Sequence, residues 1–149
     1  MQKTVVVVYG RANEGKTSTL LELYKILTGK ISDIDIVETF KYIGIDIGFA
    51  SKSDPTHESL AEFKENLVDL AKKNCKIILC SSRTRGLSVE IVDSVIRDYE
   101  YHSIWISSLW SPTLNQKYLN NQLAKNLKEL IDNLINDENI YEKDKNNAK

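Results

Sequence analysis

The feature that most constrains the fold is a run of four valines, at positions 5–8, that leads directly into a glycine-containing turn. Consecutive β-branched residues without polar alternation are typical of a strand buried on both faces, as in a parallel sheet. After the turn, apolar side chains recur at helical spacing, and Gly29 is placed to end that helix. A buried strand, a turn and an amphipathic helix in this order predict an α/β fold with a mostly parallel sheet.

Two further strands are predicted at residues 34–40 and 42–50, with Lys41 alone between them. One residue cannot form the crossover that parallel neighbours need, so we expect an antiparallel strand pair across residues 34–50. Beyond this pair, helices and strands alternate again, which fits the α/β class. The predicted elements are a helix opened by Asp54 and Pro55, a strand at 76–81, a helix capped by Ser88, a strand at 102–108 and a last amphipathic helix.

Length and composition fit one domain of ordinary globular character. The chain has 149 residues, of which 42% are hydrophobic and 28% charged. We assign residues 1–135 to the domain and expect residues 136–149, which are mostly Asn, Asp, Glu and Lys, to form a polar, disordered tail. The formal net charge of -1 gives no bulk attraction to nucleic acid or to an anionic membrane, so neither is expected as a partner.

The two cysteines bear on the cellular compartment. Cys75 and Cys80 stand near the ends of one predicted strand, which would place their Cα atoms roughly 16 Å apart. A disulfide needs less than about 7 Å, so the two thiols cannot bridge within the chain, which favours a reducing compartment. The N-terminal apolar run is too short for a secretory signal, and nothing approaches the length of a membrane span. We therefore expect a cytoplasmic protein.

The turn after the first strand has a spacing that suits phosphate groups. Glycines let backbone N–H groups point inward, and the following helix adds the positive end of its dipole. The lysine would reach the β- and γ-phosphates, and the threonine hydroxyl would join the shell of a Mg²⁺ ion. The segment follows the pattern G-x-x-x-x-G-K-[ST] and consists of Gly10, Arg11, Ala12, Asn13, Glu14, Gly15, Lys16 and Thr17.

At these eight residues the chain resembles the P-loop NTPase superfamily. The resemblance implies a three-layer sandwich with the nucleotide at the carboxyl ends of the parallel strands. It also implies that residues 10–17 and Ser18 bind a nucleoside triphosphate, with Lys16 in a catalytic role and Thr17 as a ligand of Mg²⁺. ATP would be the ligand or substrate and Mg²⁺ the cofactor.

One feature of many superfamily members, an Asp at the end of a second apolar strand that holds Mg²⁺ through water, has no counterpart here. The strand at 76–79 runs into a Cys-Ser-Ser-Arg segment without an acidic residue. Asp54 is the predicted substitute as a metal ligand, and its alternative role is to cap the next helix. Asp46 and Glu38 are weaker candidates, and Asp46 could equally be an exposed position at an edge of the sheet.

The choice of base rests on elimination. The predicted strand pair resembles that of small GTPases, but the Asn-Lys-x-Asp motif of guanine-specific members does not occur. The last strand leads instead into residues 107–112, where Trp110 either stacks on a base or packs against the protein. Trp105, within the strand, is assigned to the core. ATP is the remaining expectation.

Two arginines, Arg83 and Arg85, follow the strand at 76–81. At the carboxyl edge of the sheet they would neutralise charge that develops on a transferred phosphoryl group. They resemble the lid arginines of nucleotide kinases, or an arginine finger held in cis. The alternative is a solvated loop in which the arginines have no part in binding.

Three functions are compatible with these residues. The first is a small Mg²⁺-dependent ATPase that acts as a switch for a protein partner. The second is a kinase for a nucleotide or another small molecule, with Arg83 and Arg85 as phosphate clamps. The third is a nucleotide-binding interaction module without turnover, which the absence of a strand-end Asp favours.

Overall fold

The computed structural model describes residues 1–11, 14–32, 35–51 and 57–136. Within these ranges the chain forms five strands and four helices, which alternate as an α/β protein. The elements are β1 (Thr4–Tyr9), α1 (Lys16–Thr28), β2 (Val37–Tyr42), β3 (Ile45–Ala50), α2 (His57–Lys72), β4 (Ile77–Ser82), α3 (Leu87–Asp98), β5 (His102–Ser107) and α4 (Gln116–Asn136). The predicted tail at 136–149 lies outside the described residues except for Asn136, which ends α4.

The strands form one sheet in the order β2-β3-β4-β1-β5. All neighbours are parallel except β2 and β3, which form the predicted antiparallel pair. The predicted position of the turn was wrong: Lys41 belongs to β2, opposite Asp46, and the turn consists of Ile43 and Gly44. Both turn residues have positive φ, 50° and 74°, as the tight two-residue hairpin turns that match strand twist require. Gly44 adopts a positive φ readily, whereas no glycine stands next to Lys41, the position predicted for the turn.

Helices cover both faces of the sheet and so complete three layers. On one face α1 and α4 pack over side chains such as Val6 and Val8 of β1 and Phe49 of β3. On the other face α2 and α3 pack over Val5 and Val7. Every valine of the run is therefore buried, as predicted for a central parallel strand. Trp105 was assigned to the core but is only half-buried, because β5 is an edge strand.

Of two predicted helix ends, the one at Gly29 is confirmed and the one at Ser88 is wrong. Gly29 ends α1 with a left-handed φ of 75°, and its N–H donates to the carbonyl oxygen of Lys25, as predicted. Ser88 does not cap α3: the helix begins after Gly86, and Ser88 is buried inside the first turn. Its hydroxyl is engaged by the end of β4 instead of the helix N–H groups.

Both cysteines are buried and free, in agreement with the prediction that they cannot bridge. Within the described part of the chain, no helix combines the length and apolarity needed to cross a membrane.

Candidate functional site

The connections that leave β1 and β4 diverge, which opens a crevice between these neighbouring strands. The chain leaves β1 toward α1 on one face of the sheet and leaves β4 toward α3 on the other. Such a reversal at the carboxyl ends of parallel strands is the usual ligand position in open α/β sheets. A cavity of about 340 Å³ lies there, lined by Gly10, Arg11, Arg83, Thr84 and Arg85. The structure thus brings Gly10 and Arg11, the first residues of the phosphate loop (residues 10–17), together with the two arginines.

Both glycines of the phosphate loop are required by close neighbours. A Cβ atom added to Gly10 would collide with the Ser108 hydroxyl oxygen. Gly15 has a φ of 82°, and a Cβ atom there would collide with the Asn120 side-chain oxygen and lie 2.8 Å from Gln116 Nε2. At Gly10 a side chain is therefore excluded by steric contact. At Gly15 it is excluded by steric contact and also disfavoured by the left-handed backbone conformation.

The start of α1 carries no side-chain cap from its N-cap residue. The N-cap residue, Gly15, has no side chain, and the first turn contains no acidic residue. The first N–H groups of a helix lack intrahelical partners and carry the positive end of its dipole. This helix end is therefore suited to an anion.

Lys16 lies at this helix end and is half-buried. Its ammonium donates a hydrogen bond to the carbonyl oxygen of Gly10, 3.0 Å away. Burial lowers the pKa of Lys16, and the positive charge of Arg83 lowers it further, while the carboxylate of Glu14 acts in the opposite direction. Two cations thus converge on the crevice, an arrangement that a bound anion would stabilise.

The remaining residues of the predicted nucleotide site differ in exposure. Thr17 is half-buried next to Lys16, and Ser18 is exposed. Arg11 is exposed, and its backbone N–H donates to Glu14 Oε2 at 3.2 Å, which closes the loop across its variable positions. Ala12 and Asn13 lie outside the described residues.

Arg83 and Arg85 are not equivalent. Arg83 is half-buried directly after β4, whereas Arg85 is exposed two residues further along the loop. Burial lowers the pKa of Lys16 most, and of the two arginines it is Arg83 whose charge lowers it further. Arg83 is therefore the arginine whose charge reaches the start of α1.

Ser108, Gln116 and Asn120, which follow β5, lie against the glycines of the phosphate loop, and we call them its second wall. The sequence interpretation did not identify them. Gln116 Nε2 donates to the carbonyl oxygen of Leu109 at 2.7 Å and to Asn120 Oδ1 at 2.8 Å. Asn120 also accepts from the Thr19 hydroxyl at 3.5 Å, which joins α4 to α1. The available signal was the i, i+4 pair of amide side chains at the start of an amphipathic helix.

Two buried atoms of this wall, Ser108 Oγ and Gln116 Oε1, have no hydrogen-bond partner among the residues that the structure describes. An unpaired buried polar atom costs about 1–3 kcal/mol. Trp110 follows in the same connection and is 56% exposed, so more than half of its surface faces solvent.

Of the acidic candidates, Asp46 and Glu38 lie within the described residues, and each has another partner. Asp54 lies outside the described residues. Asp46 is at the amino end of β3, the opposite edge of the sheet from the crevice, where it pairs with Lys41 at 3.5 Å, so its candidacy as a metal ligand was wrong. Glu38 accepts a hydrogen bond of 2.6 Å from the Tyr24 hydroxyl. Over the ranges described, no three His, Cys, Asp or Glu side chains gather as a metal site.

Comparison with known proteins adds no assignment: neither the models of known families nor the curated proteins contain a match to this chain.

Proposed function

We propose that this protein binds a nucleoside triphosphate, ATP by elimination, in the crevice between β1 and β4 and hydrolyses it as a P-loop NTPase. The observation that carries the proposal is that Arg83 borders the same crevice as Gly10, the residue to which Lys16 at the start of α1 donates a hydrogen bond. Like charges that approach each other destabilise a fold unless an anion lies between them. A triphosphate supplies several negative charges and enough oxygens for both cations and the helix N–H groups.

Size and shape support the same ligand class. The cavity of about 340 Å³ falls within the range of small-molecule sites and is lined by the first two residues of the phosphate loop and by the segment that follows β4. The two glycines let Ser108 of the β5–α4 connection and Gln116 and Asn120 of α4 approach the loop backbone closely. The G-x-x-x-x-G-K-[ST] spacing then places the lysine at the terminal phosphates.

In the proposed reaction, water attacks the γ-phosphorus while the bond to the β–γ bridging oxygen breaks, which yields ADP, inorganic phosphate and a proton. Lys16 would exchange its bond to Gly10 for the β- and γ-phosphate oxygens. Arg83 would stabilise charge on the γ-phosphoryl group as it transfers. The loop N–H groups would hold the phosphates in line with the attacking water.

Mg²⁺ fits this site as the partner of the nucleotide. The described residues offer the Thr17 hydroxyl but no carboxylate cluster, and Mg²⁺ commonly binds through few protein ligands together with phosphate oxygens and water. When bound, it would neutralise phosphate charge. Thr17→Ala should therefore weaken ATP binding more with Mg²⁺ than without it. Ser94→Ala, on α3 and outside the lining of the crevice, is the matched control.

Calorimetry with ATP, GTP, AMP and inorganic tripolyphosphate, each with and without Mg²⁺, tests the proposal. We expect the triphosphates to bind more tightly than AMP, and phosphate release from ATP to follow. Absence of binding by every triphosphate would overturn the proposal. Phosphate transfer that needs an added acceptor would indicate the kinase alternative, and tight binding without turnover would indicate the interaction module.

A further inference from the structure

We propose that Ser82 and Ser88 are positioning residues, whose hydroxyls hold the backbone of Arg83 so that its side chain stays beside the phosphate loop. The inference rests on the proposed function, which gives Arg83 its task. It assigns a role to two serines outside the G-x-x-x-x-G-K-[ST] segment.

Three hydrogen bonds form a closed ring around the Arg83 backbone. The Arg83 N–H donates to Ser88 Oγ at 3.1 Å, and the Ser82 hydroxyl donates to the Arg83 carbonyl oxygen at 2.9 Å. The two serine oxygens lie 3.1 Å apart. Because the single proton of Ser82 is used on Arg83, Ser88 must be the donor to Ser82. Both polar groups of the Arg83 backbone are thereby fixed, and each hydroxyl donates once.

The ring is sealed from solvent. Ser82 is 0% exposed and Ser88 is 4% exposed, so water does not compete for these bonds. The residues that follow Arg83 in the loop, from Thr84 to Leu87, are all exposed. The fold therefore fixes Arg83 specifically, at the point where the loop leaves β4.

The same ring is tied directly to the phosphate loop. The carbonyl oxygen of Ser82 accepts the N–H of Gly10 at 3.2 Å. This hydrogen bond follows the last residue pair of β1 and β4, where the two segments diverge. Arg83 is thus held to the first residue of the loop through one intervening residue. A shift of the ring would move the arginine relative to the phosphates.

A fixed backbone is needed because Arg83 lies near another cation. Its charge acts on Lys16, so repulsion favours conformations in which the arginine turns away into solvent. Anchoring the backbone limits that movement and keeps the guanidinium at the crevice before a phosphate arrives. Such preorganisation contributes to rate when a group acts on charge that develops in the transition state.

The position of Ser88 also explains a departure from ordinary helix capping. A serine at the N-cap position would satisfy helix N–H groups, but Ser88 is the second residue of α3 and Gly86 holds the N-cap position. No side chain caps α3, and Ser88 turns to the end of β4 instead. The Ser88 hydroxyl oxygen thus serves as the acceptor for the Arg83 N–H instead of for an N–H of the helix.

The test compares Ser88→Ala and Ser82→Ala with Ser94→Ala. Ser94 is a matched control on the same helix, since among the described residues its hydroxyl bonds to the carbonyl oxygen of Ile91 within α3. Hydrogen exchange of the Arg83 amide, measured by NMR on the protein alone, should accelerate roughly 2- to 10-fold in Ser88→Ala, the effect of one lost hydrogen bond. Ser94→Ala should leave that amide unchanged, and Ser88→Thr, which retains the hydroxyl, should restore its protection.

ATP hydrolysis supplies the second readout. Ser88→Ala should lower kcat about 10- to 100-fold, the effect of a small misplacement of a reacting group, with little change in KM. In an Arg83→Ala background the same substitution should have almost no further effect, because its action would pass through Arg83. An equal loss in both backgrounds would overturn the positioning role, as would unchanged amide exchange in both Ser88→Ala and Ser82→Ala.

The two proposals fail differently. If the wild-type protein neither binds nor hydrolyses a triphosphate, the proposed function fails, and the exchange measurement still decides whether the serines fix Arg83. If hydrolysis proceeds but Ser88→Ala matches the Ser94→Ala control, only the positioning role fails.

Discussion

The ammonium nitrogen of Lys16 lies 3.0 Å from the carbonyl oxygen of Gly10, so the lysine spans the loop in which it stands. The bond joins the end of β1 to the start of α1. Lys16 could therefore act by supporting the loop, by binding phosphate, or by both.

Lys16→Ala separates these roles. The lost bond to Gly10 is offset by relief of the repulsion from Arg83, so the free energy of unfolding should change by only about 1 kcal/mol. ATP affinity should fall about 10- to 100-fold, as expected for a lost hydrogen bond between charged groups. Urea unfolding and calorimetry measure the two quantities. Lys25→Ala, at the exposed last turn of the same helix, is the control. Unchanged ATP affinity in Lys16→Ala would contradict the phosphate role.

Gly15 and Gly29 form a natural pair for testing the crowding of the loop. Their φ values are similar, 82° and 75°, but a Cβ atom on Gly29 would meet nothing within 4 Å. Gly29→Ala should cost only the left-handed backbone penalty of about 1–2 kcal/mol. Gly15→Ala should cost clearly more, because the added methyl group meets Asn120 and Gln116. If urea unfolding shows the same loss of stability for both substitutions, Asn120 and Gln116 move aside for the added methyl group without a free-energy cost.

Tyr101 predicts a change of stability at alkaline pH. Its hydroxyl donates to the carbonyl oxygen of Cys75, and burial, aided by the charge of Cys75, raises the pKa of Tyr101 to about 12. The unfolded pKa is near 10, so the stability from keeping this phenol neutral is complete below pH 10 and is lost as the pH rises toward 12.

Tyr101→Phe removes both the hydrogen bond and the titrating group. At neutral pH the wild type should be more stable by about 1 kcal/mol, the contribution of one hydrogen bond. That advantage should shrink above pH 10, because only the wild type must ionise a buried phenol. Urea unfolding of both proteins from pH 7 to pH 11 measures the difference, and groups common to both cancel. A constant difference across this range would contradict the raised pKa.

Local chemistry was sufficient to predict most of the fold. The valines specify a central strand, Gly29 ends α1, and the short connection between the second and third strands allows only an antiparallel pair. The wrong predictions concern positions where the local sequence allows more than one arrangement and tertiary contacts select between them. Ser88 has the chemistry of a helix cap, but the end of β4 offers its hydroxyl other partners.

The site was predictable only where its residues are adjacent in sequence. Lys16 and the loop glycines follow one spacing, and Arg83 could be placed at the same sheet edge because it ends a buried strand. Ser108, Gln116 and Asn120 could not be placed, because their contacts with Gly10 and Gly15 join positions about a hundred residues apart. Nothing in a single sequence specifies such packing.

The last prediction distinguishes the two arginines of the crevice. Both line the cavity, but Arg83 is half-buried and acts on Lys16, whereas Arg85 is exposed. If Arg83 stabilises charge on the transferring phosphoryl group, Arg83→Ala should lower kcat with little effect on ATP affinity, since the interaction strengthens only in the transition state. An arginine in that role contributes about 10³–10⁵ in rate, so even a partial contribution is measurable. Arg83→Lys should restore little, because an ammonium lacks the planar fork that holds two oxygens.

Arg85→Ala should have a smaller effect on ATP hydrolysis, which makes it the matched control for charge. If instead Arg85 clamps the phosphate of an acceptor, its loss should raise KM for that acceptor and leave basal hydrolysis intact. Steady-state kinetics of the three variants, together with calorimetry for ATP, separate these outcomes. Should Arg83→Ala retain the wild-type kcat, the catalytic role of Arg83 is wrong. The convergence of Lys16 and Arg83 would then serve binding alone, and the interaction module without turnover would become the better interpretation of the crevice.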